Sequence, residues 1–361
     1  MKVLKDFEKD LSKCSKCGLC ESVCPLFKII PNDCVASKGK FIMLHGVTKG
    51  ELKLSKKINH YIDLCLKCGK CNDFCPSDID ICNILSVAKA QYLNERYFNN
   101  IIRFFQSRLV FNNLIKLGQI LSKPFRPVSK HNEKLSTVIY FKGCVNQICP
   151  NTDRYIQKIF KNRINIVEPN FECCGLPFLS EGNIERFEQA AKNNLKLFNK
   201  DCDYIVTDCA SCSSTINSYP KYIDNCKALE NKLFLNWGDI IAKQDLKFKF
   251  KKPLRVTFHK PCHLKDDGFF EKIIKNCENV EYVKMDEYDS CCGMAGSFAL
   301  KNPELFFKLS KIKGENIKKT NADSVITTCP ACILGLKFGL FNNNSKIKVV
   351  SLLEFLSKAS N

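Results

Sequence analysis

Cysteine is the residue type whose spacing in this chain could do chemistry. Near the N-terminus, a string of the form C-x-x-C-x-x-C-x-x-x-C-P occurs twice. The first run consists of Cys14, Cys17, Cys20 and Cys24, and the second run consists of Cys65, Cys68, Cys71 and Cys75. Each run is closed by a proline, whereas zinc sites use two separated pairs of ligands. The runs therefore indicate thiolates that converge on iron–sulfur clusters rather than on zinc.

The spacing of the two runs is that of bacterial ferredoxins with two 4Fe-4S cubane clusters. In those proteins the fourth cysteine of each run binds the other cluster. We therefore expect one cluster at Cys14, Cys17, Cys20 and Cys75, and the other at Cys65, Cys68, Cys71 and Cys24. Because each cluster takes its last ligand from the other run, the clusters would hold the two halves together. This part of the chain is predicted to carry electrons.

A second pattern of cysteines repeats further along the chain. Each copy contains a single cysteine, a C-C-G string and a C-x-x-C string. The first quintet is Cys144, Cys173, Cys174, Cys209 and Cys212, and the second quintet is Cys262, Cys291, Cys292, Cys329 and Cys332. Matching members lie 118 or 120 positions apart, which indicates an internal duplication. Buried structural cysteine does not recur in matched sets of five, so both quintets are candidate metal ligands.

Six cysteines fall outside both patterns. They are interpreted as buried or spare thiols: Cys34, Cys82, Cys149, Cys202, Cys226 and Cys277.

Around the quintets, short β-rich runs alternate with helical stretches. Strands are expected at 137–141, 164–167, 204–207, 255–258, 280–284 and 324–327, and helices at 153–161, 183–198 and 302–318. Alternation of this kind predicts parallel sheets. It also places the quintet cysteines at or just after the carboxyl ends of strands, where open α/β sheets bind ligands. Cys212 and Cys332 would then lie near helix N-termini, which favour the thiolate form.

The whole chain is predicted to be α+β. A helical two-cluster ferredoxin-type domain at 1–95 precedes a helical connector and linker at 96–134. Two repeated α/β cysteine-rich units with short parallel sheets follow, the first unit at 135–245 and the second unit at 246–361. In the connector, residues 101–121 are apolar on more than one face. They fit either a helix packed between domains or a docking surface for a membrane anchor or partner subunit.

Composition narrows the classes of partner and compartment. The 361 residues carry a formal net charge of +19, but no basic patch is interleaved with aromatic residues, so no nucleic acid is expected as a partner. The chain shows neither a signal peptide nor an uncharged apolar run of membrane-spanning length. Thiolate ligands need a reducing compartment. These features predict a cytoplasmic protein, or one peripheral at the inner face of the membrane.

Several strings carry a resemblance to a known family. They are CLKCGKCNDFCPSDIDI at 65–81, YFKGCVNQ at 140–147, ECCGLPFLSEGN at 172–183, HKPCHL at 259–264 and CCGMAGSFALKNPE at 291–304. The chain resembles iron–sulfur oxidoreductases with cysteine-rich CCG domains. These include the iron–sulfur subunit of glycolate oxidase, the corresponding subunit of anaerobic glycerol-3-phosphate dehydrogenase, the iron–sulfur portion of flavin-linked D-lactate dehydrogenases, and heterodisulfide reductase.

The resemblance implies an electron-transfer subunit of an oxidoreductase complex. Electrons would pass from a flavin-containing dehydrogenase subunit, acting on a 2-hydroxyacid or on glycerol 3-phosphate, to a quinone or other acceptor. In the heterodisulfide reductase branch each complete quintet holds a non-cubane 4Fe-4S cluster, so one or two further clusters are expected here. That branch also implies an alternative activity, the reduction of a disulfide. No G-x-G-x-x-G or Walker string is present, so FAD and NAD are expected on other chains.

Two further features distinguish the second quintet. His259 and His263 flank Cys262. Each is interpreted either as a ligand or proton donor, or as a histidine that packs in the core. The loop after Cys292 is built of small residues, whereas the first unit has Pro177 there. Small residues allow close approach, so this loop is predicted to face the external partner or substrate.

The two N-terminal runs make one direct prediction. A 1–95 fragment reconstituted anaerobically should contain about eight irons, because each run completes a four-iron site. Cys20→Ser should disturb the first cluster and leave the second detectable by EPR after reduction. A fragment that holds zinc and gives no reduced-cluster signal would rule the assignment out.

Overall fold

The computed structural model of the chain describes residues 3–94, 136–148, 151–161, 163–198, 202, 204–230 and 233–360. The predicted connector at 96–134, with its apolar stretch at 101–121, and Cys149 lie outside the described residues.

The N-terminal part is helical, as predicted. Its α-helices are Glu8–Ser12, Leu19–Ser22, Ser37–Thr48, Lys56–Asp63, Lys70–Asp73 and Ile81–Asn94, and a 3-10 helix covers Leu4–Phe7. Both cysteine runs begin in loops of the same shape. Gly18 and Gly69 have φ of 84° and 78°, a left-handed conformation that glycine adopts without strain. This conformation turns each loop sharply into the short helix that carries the third cysteine of the run.

The C-terminal part contains two parallel sheets of the same topology. The strands are β1 (Thr137–Tyr140), β2 (Asn165–Val167), β3 (Tyr204–Thr207), β4 (Leu233–Asn236), β5 (Phe248–Phe258), β6 (Cys277–Tyr282), β7 (Ser324–Thr327) and β8 (Lys348–Ser351). The first sheet has the order β2-β1-β3-β4 and the second the order β6-β5-β7-β8. The shared order matches the internal duplication, and the predicted fold class is confirmed.

Helices cover the faces of both sheets. Those of the first unit are Cys144–Ile148, Thr152–Phe160, Leu176–Ser180, Ile184–Leu197, Ala210–Asn217 and Trp237–Lys243, with 3-10 helices at Tyr219–Lys221 and Lys227–Leu229. Those of the second unit are Gly268–Lys275, Phe298–Lys301, Pro303–Lys319, Pro330–Asn342 and Leu352–Leu356. The central strands are buried on both faces, as parallel strands between helices require: Ile205 points to one side and Val206 to the other, and neither is exposed.

One strand differs clearly from its predicted bounds. β5 begins at Phe248, whereas the sequence predicts a strand only from residue 255. The added residues alternate between the core and solvent, with Phe248 and Phe250 buried and the lysines between and after them exposed. Lys249 also pairs with Ser360 near the C-terminus. Pro253 and the lysine-rich sequence hide this strand from a prediction based on β propensity.

A buried ion network joins the N-terminal part to both units. Lys89 contacts Asp63 at 2.6 Å and Glu181 at 3.3 Å, and both Lys89 and Glu181 are less than a tenth exposed. Glu181 also accepts from Ser297 and Lys301 of the second unit. Burial raises the pKa of the Glu181 carboxyl, but the charges of Lys89 and Lys301 outweigh this effect and hold the pKa below its usual 4.5. The network therefore stabilises the ionised form.

Replacing Glu181 should weaken this junction. We expect Glu181→Gln to lower the free energy of unfolding by about 2 kcal/mol or more, because it removes one of the two carboxylates that balance the buried Lys89 charge. The control Lys301→Gln removes a more exposed partner and should cost under about 1 kcal/mol. Denaturant titrations measure both.

The loss of stability in Glu181→Gln should depend on pH in one direction only. Because the folded-state pKa is depressed, the stabilisation by Glu181 is fully present above its unfolded value of 4.5 and is lost as pH falls through the folded-state pKa. The difference between wild type and variant should therefore shrink below pH 4.5. A difference that grows on acidification would contradict this account.

Candidate metal centres

The N-terminal cysteines line two separate cavities. Cys14, Cys17, Cys20 and Cys75 line the first cavity, whose apolar wall includes Phe41, Ile79 and Ile81. Cys24, Cys65, Cys68 and Cys71 line the second cavity, whose wall includes Leu26, Val35 and Leu64. The structure thus brings together the same two sets of four that the sequence pairs, with the last cysteine of each run exchanged. Cys17 is exposed, so the first cavity lies at the surface.

The donor atoms of both cavities suit a metal cluster better than free thiols. Burial raises the pKa of Cys20 to about 11, and burial also raises the pKa of Cys24 and Cys68. An iron–sulfur cluster would bind these thiols as thiolates and so remove that cost. Buried Lys40 supplies a cation beside the second cavity, where its Nζ donates to the carbonyls of Val35 and Leu64 at 2.6 Å each.

Cys82 is a fifth thiol in the second cavity, although its position outside both cysteine patterns indicates a spare thiol. Its hydrogen bond with Cys71 lowers the pKa of Cys71 to about 7 and raises the pKa of Cys82, which burial raises further. Cys82 therefore stays protonated and donates its S–H to the Cys71 thiolate. Cys82 is the second residue of the helix Ile81–Asn94, and its place at the start of the helix that follows Pro76 is the signal that the sequence offers, because that helix packs against the cavity.

Each quintet forms one continuous series of thiol contacts. In the first unit the series runs Cys144, Cys173, Cys174, Cys212, Cys209, and in the second it runs Cys262, Cys291, Cys292, Cys332, Cys329. The Sγ atoms of Cys173 and Cys144 are 3.8 Å apart. The same order of contacts in both units shows that the duplicated spacing corresponds to duplicated geometry.

The fold produces this geometry at the carboxyl ends of strands. Cys209 follows β3 and Cys329 follows β7, and each lies at the N-cap of the next helix. Hydrogen bonds with Cys209 and Cys332 hold the pKa of Cys329 well below its usual range. The hydrogen bond with Cys212 lowers the pKa of Cys209, but the hydrogen bond with Cys329 and burial outweigh it, so that pKa is raised. Hydrogen bonds from Cys291 and Cys332 lower the pKa of Cys292 to about 5. Hydrogen bonds from Cys173 and Cys212 likewise hold the pKa of Cys174 well below its usual range. The centre of each quintet is therefore prepared to be anionic.

The two quintets meet at matched residues. Cys209 and Cys329 are hydrogen-bonded to each other, and the Ala210 amide donates to the carbonyl of Thr328 at 3.2 Å. Contact between equivalent residues is the arrangement expected around an approximate two-fold axis. On its other side the second quintet approaches the second N-terminal cavity, because Cys68 and Cys262 pack against the same buried group, which contains Cys291. The four cysteine sets therefore lie in series.

His263 links three parts of the chain at this junction. Its Nε2 donates to the carbonyl of Lys67 at 2.9 Å. The other ring nitrogen, Nδ1, therefore accepts from the Ser211 hydroxyl at 2.9 Å. Ser211 Oγ in turn lies 3.8 Å from Cys329 Sγ. His263 therefore positions three cysteine-bearing loops relative to one another, a role that spacing along the chain does not reveal.

His259 has a different environment. It follows β5, its side chain is fully buried, and neither ring nitrogen has a hydrogen-bond partner among the described residues. Burial, together with nearby Lys313, holds the pKa of the ring well below its usual 6.5, so the ring is neutral.

The loop of small residues after Cys292 lies at the junction. Ser297 binds Glu181, and Ala295 packs against the apolar group that contains Leu26 and Phe298. Gly296 is exposed. The predicted contact of this loop with an external partner stays a prediction.

Family comparisons agree with the two kinds of site. Residues 10–79 match the 4Fe-4S dicluster domain, and residues 138–217 and 256–337 each match the cysteine-rich domain. The chain is thus an iron–sulfur protein with one ferredoxin-type region and two cysteine-rich domains. The resemblance drawn from the cysteine strings is confirmed, and with it the binding of 4Fe-4S clusters.

Individual relatives cover almost the whole chain. A subunit of the fumarate reductase (CoM/CoB) of Methanothermobacter marburgensis is 27% identical over 97% of this chain and 73% of its own length. A probable glycolate oxidase iron–sulfur subunit of Bacillus subtilis is 22% identical over 98% and 95%. A subunit of a dihydromethanophenazine:CoB–CoM heterodisulfide reductase of Methanosarcina acetivorans is 23% identical over 97% and 94%. The chain is therefore related to iron–sulfur subunits of multi-subunit oxidoreductases.

One solved structure shares the fold. The crystal structure of a hypothetical protein from Helicobacter pylori superposes with a TM-score of 0.50 at 12% identity, over 93% of this chain and 66% of that chain. Among the described residues no helix is both long enough and apolar enough to cross a membrane.

Cys82 and Cys71 form a matched pair for testing the second cavity. Cys71→Ala should lose about four irons, because it removes one of the four cysteines predicted to hold a cluster. Cys82→Ala should keep its iron and shift the cluster to a lower reduction potential, because a hydrogen bond to a ligand sulfur is lost. Iron analysis and a potentiometric EPR titration measure both. Equal iron loss in the two variants would make Cys82 a ligand.

Proposed function

We propose that this chain is the iron–sulfur electron-transfer subunit of a flavin-dependent dehydrogenase complex. A separate flavin-containing subunit would oxidise a 2-hydroxyacid, such as glycolate or lactate, or glycerol 3-phosphate. This chain would pass the electrons to a quinone or another acceptor. The observation that carries the proposal is the series of four cysteine sets, which runs from exposed Cys17 through the second cavity and the second quintet to the first quintet.

The ligand sets follow the same geometry. Cys14, Cys17, Cys20 and Cys75 would hold one cubane cluster, and Cys65, Cys68, Cys71 and Cys24 the other. Either or both quintets would hold a further, non-cubane 4Fe-4S cluster. When bound, such clusters take up and release single electrons. We also propose domains at 1–95, 135–245 and 246–361 with a connector at 96–134, in a cytoplasmic protein that is peripheral at the inner face of the membrane when its acceptor is a quinone.

The chain's own residues would set the electrostatics of the series. Buried Lys40 and Lys313 place cations beside the second cavity and the second quintet, where bound clusters add negative charge. His263 and Ser211 hold the three loops together. FAD and NAD remain assigned to other chains, in line with the absence of their binding strings from the sequence.

A second candidate function is the reduction of a disulfide at a quintet. Two electrons and two protons would convert one mixed disulfide of small thiols into two thiols. The completeness of both quintets keeps this candidate open without separating it from the relay, and the names of two relatives, which refer to CoM and CoB, favour it. A reductase would need one quintet open to its substrate, whereas eight of the ten quintet cysteines are buried here. The relay is therefore the better-supported function.

Anaerobic purification of the full chain from its native cells tests the proposal. We expect a flavoprotein to co-purify, and its flavin to be reduced by one of the named substrate classes with subsequent reduction of the clusters. A chain that purifies without flavin, yet oxidises reduced viologen dye when given a small mixed disulfide, would favour the second function.

Interrupting the series at its middle gives a sharper prediction. In Cys291→Ala, the second quintet should lose its cluster, while those on either side remain. During a single turnover of the purified complex, EPR signals should then develop on the flavin side of the break only. The control Cys277→Ala removes a buried cysteine of the same unit that belongs to neither pattern, and should leave all signals intact. Signals that spread equally in both variants would contradict a linear relay.

A further inference from the structure

The two cysteine-rich units differ at one position beside the cysteines. His259 lies three residues before Cys262, and Phe141 lies three residues before Cys144. Their backbones are equivalent: the amide of Phe141 donates to the carbonyl of Val206 at 2.8 Å, and the amide of His259 donates to that of Ile326 at 2.9 Å. The same place in the fold therefore holds a hydrocarbon ring in the first unit and an imidazole in the second.

The first unit uses this position for packing alone. Phe141 is fully buried, with its ring centroid 4.8 Å from that of Phe171 and 6.2 Å from that of Phe198. The second unit buries His259 equally deeply. A buried imidazole without a well-aligned hydrogen bond loses its hydration and gains little in return, a cost that a phenylalanine would not have. Packing therefore does not account for the histidine.

The ring of His259 faces thiols instead of hydrogen-bond partners. One of its nitrogens, Cys292 Sγ and Cys332 Sγ all lie within 4.8 Å of one another, and all three side chains are buried. Three donor atoms at this spacing suit a single ion with nitrogen and sulfur ligands. Among the described residues, both ring nitrogens lack a hydrogen-bond partner, so one is available to bind a metal.

The other groups around the ring are consistent with a neutral ligand. Lys313 is nearby, but its Nζ donates to the Glu287 carbonyl at 2.5 Å and to Ser290 Oγ at 3.1 Å. The backbone of Tyr288 interacts with the ring and raises its pKa, although no well-aligned hydrogen bond forms, and the Tyr288 carbonyl accepts from the Lys260 amide at 3.0 Å. Histidine ligands usually donate their second N–H to a carbonyl or carboxylate, and the backbone of Tyr288 is placed to take that role.

We propose that His259 is a metal ligand, acting with Cys292 and Cys332, so that the second unit binds its metal group through nitrogen and sulfur while the first unit uses thiolates alone. This inference rests on the proposed function in one respect, namely that the second quintet holds metal. A neutral imidazole adds no negative charge, so the group in the second unit is more easily reduced than an all-thiolate counterpart. The metal groups of the two duplicated units therefore differ in reduction potential.

The test uses the full-length protein, purified anaerobically after growth with ¹⁵N-histidine. Pulsed EPR of the oxidised and reduced states should show a ¹⁵N coupling from a directly bound imidazole. The coupling should vanish in His259→Phe and persist in the matched control His263→Gln. A wild-type protein without such a coupling in either state, or a coupling that survives in His259→Phe, overturns the inference.

Comparing two substitutions of His259 separates a ligand from a packing residue. His259→Phe copies the first unit and should be the better-tolerated change if position 259 only packs. His259→Cys supplies another metal ligand, so a ligand role predicts that it keeps more metal in the second unit than His259→Phe and shifts the potential downwards. Full metal retention in both variants, with unchanged potentials, overturns the inference.

Failure of this inference can be told apart from failure of the proposed function. Cys292→Ser in the full chain measures how much metal the second quintet holds. Unchanged metal content in that variant would contradict both the assignment of a metal group to this unit and, with it, the role of His259. Metal loss in Cys292→Ser with no effect at His259 would overturn the ligand role alone.

Discussion

The structure depends on bringing many thiols close together without leaving their charges unbalanced. Thiolates repel one another, and burial penalises each of them, so a set of free cysteines at these positions would be costly. Three devices reduce the cost in the described part of the chain. A helix N-terminus meets Cys329, buried lysines lie beside the cysteine sets, and protonated cysteines such as Cys82 donate to their anionic neighbours. Metal binding would complete the compensation.

The parallel sheets serve this requirement directly. Parallel strands deliver their carboxyl ends to one edge, so cysteines that follow different strands arrive at the same place. Duplication then yields two such edges, and packing them together at Cys209 and Cys329 makes one long buried zone. The helical N-terminal part extends the zone because Cys68 lies against the second quintet. The need to bring the cysteines together therefore explains both how the domains are positioned and why the thiol sets are continuous.

The cysteine sets and the fold class could be predicted from the sequence because their signals are local or periodic. Fixed spacings identify the runs and the quintets, and short apolar runs identify most strands. The contacts that join the parts could not be predicted in this way. Lys89 with Glu181, and His263 with Lys67, link residues far apart in the chain, and no spacing rule relates them. The start of β5 was missed because its lysines obscure the alternating phenylalanines.

The buried lysines change how the basic character of this chain should be understood. The sequence has a pI near 9.0, which suggests a surface that attracts anions. Yet Lys40, Lys89 and Lys313 direct their ammonium groups inwards, to carbonyls or carboxylates. Loaded clusters would neutralise part of that internal charge. The holoprotein would then bind a cation-exchange resin less tightly than its amino-acid composition implies, and its chromatographic behaviour would follow its iron content.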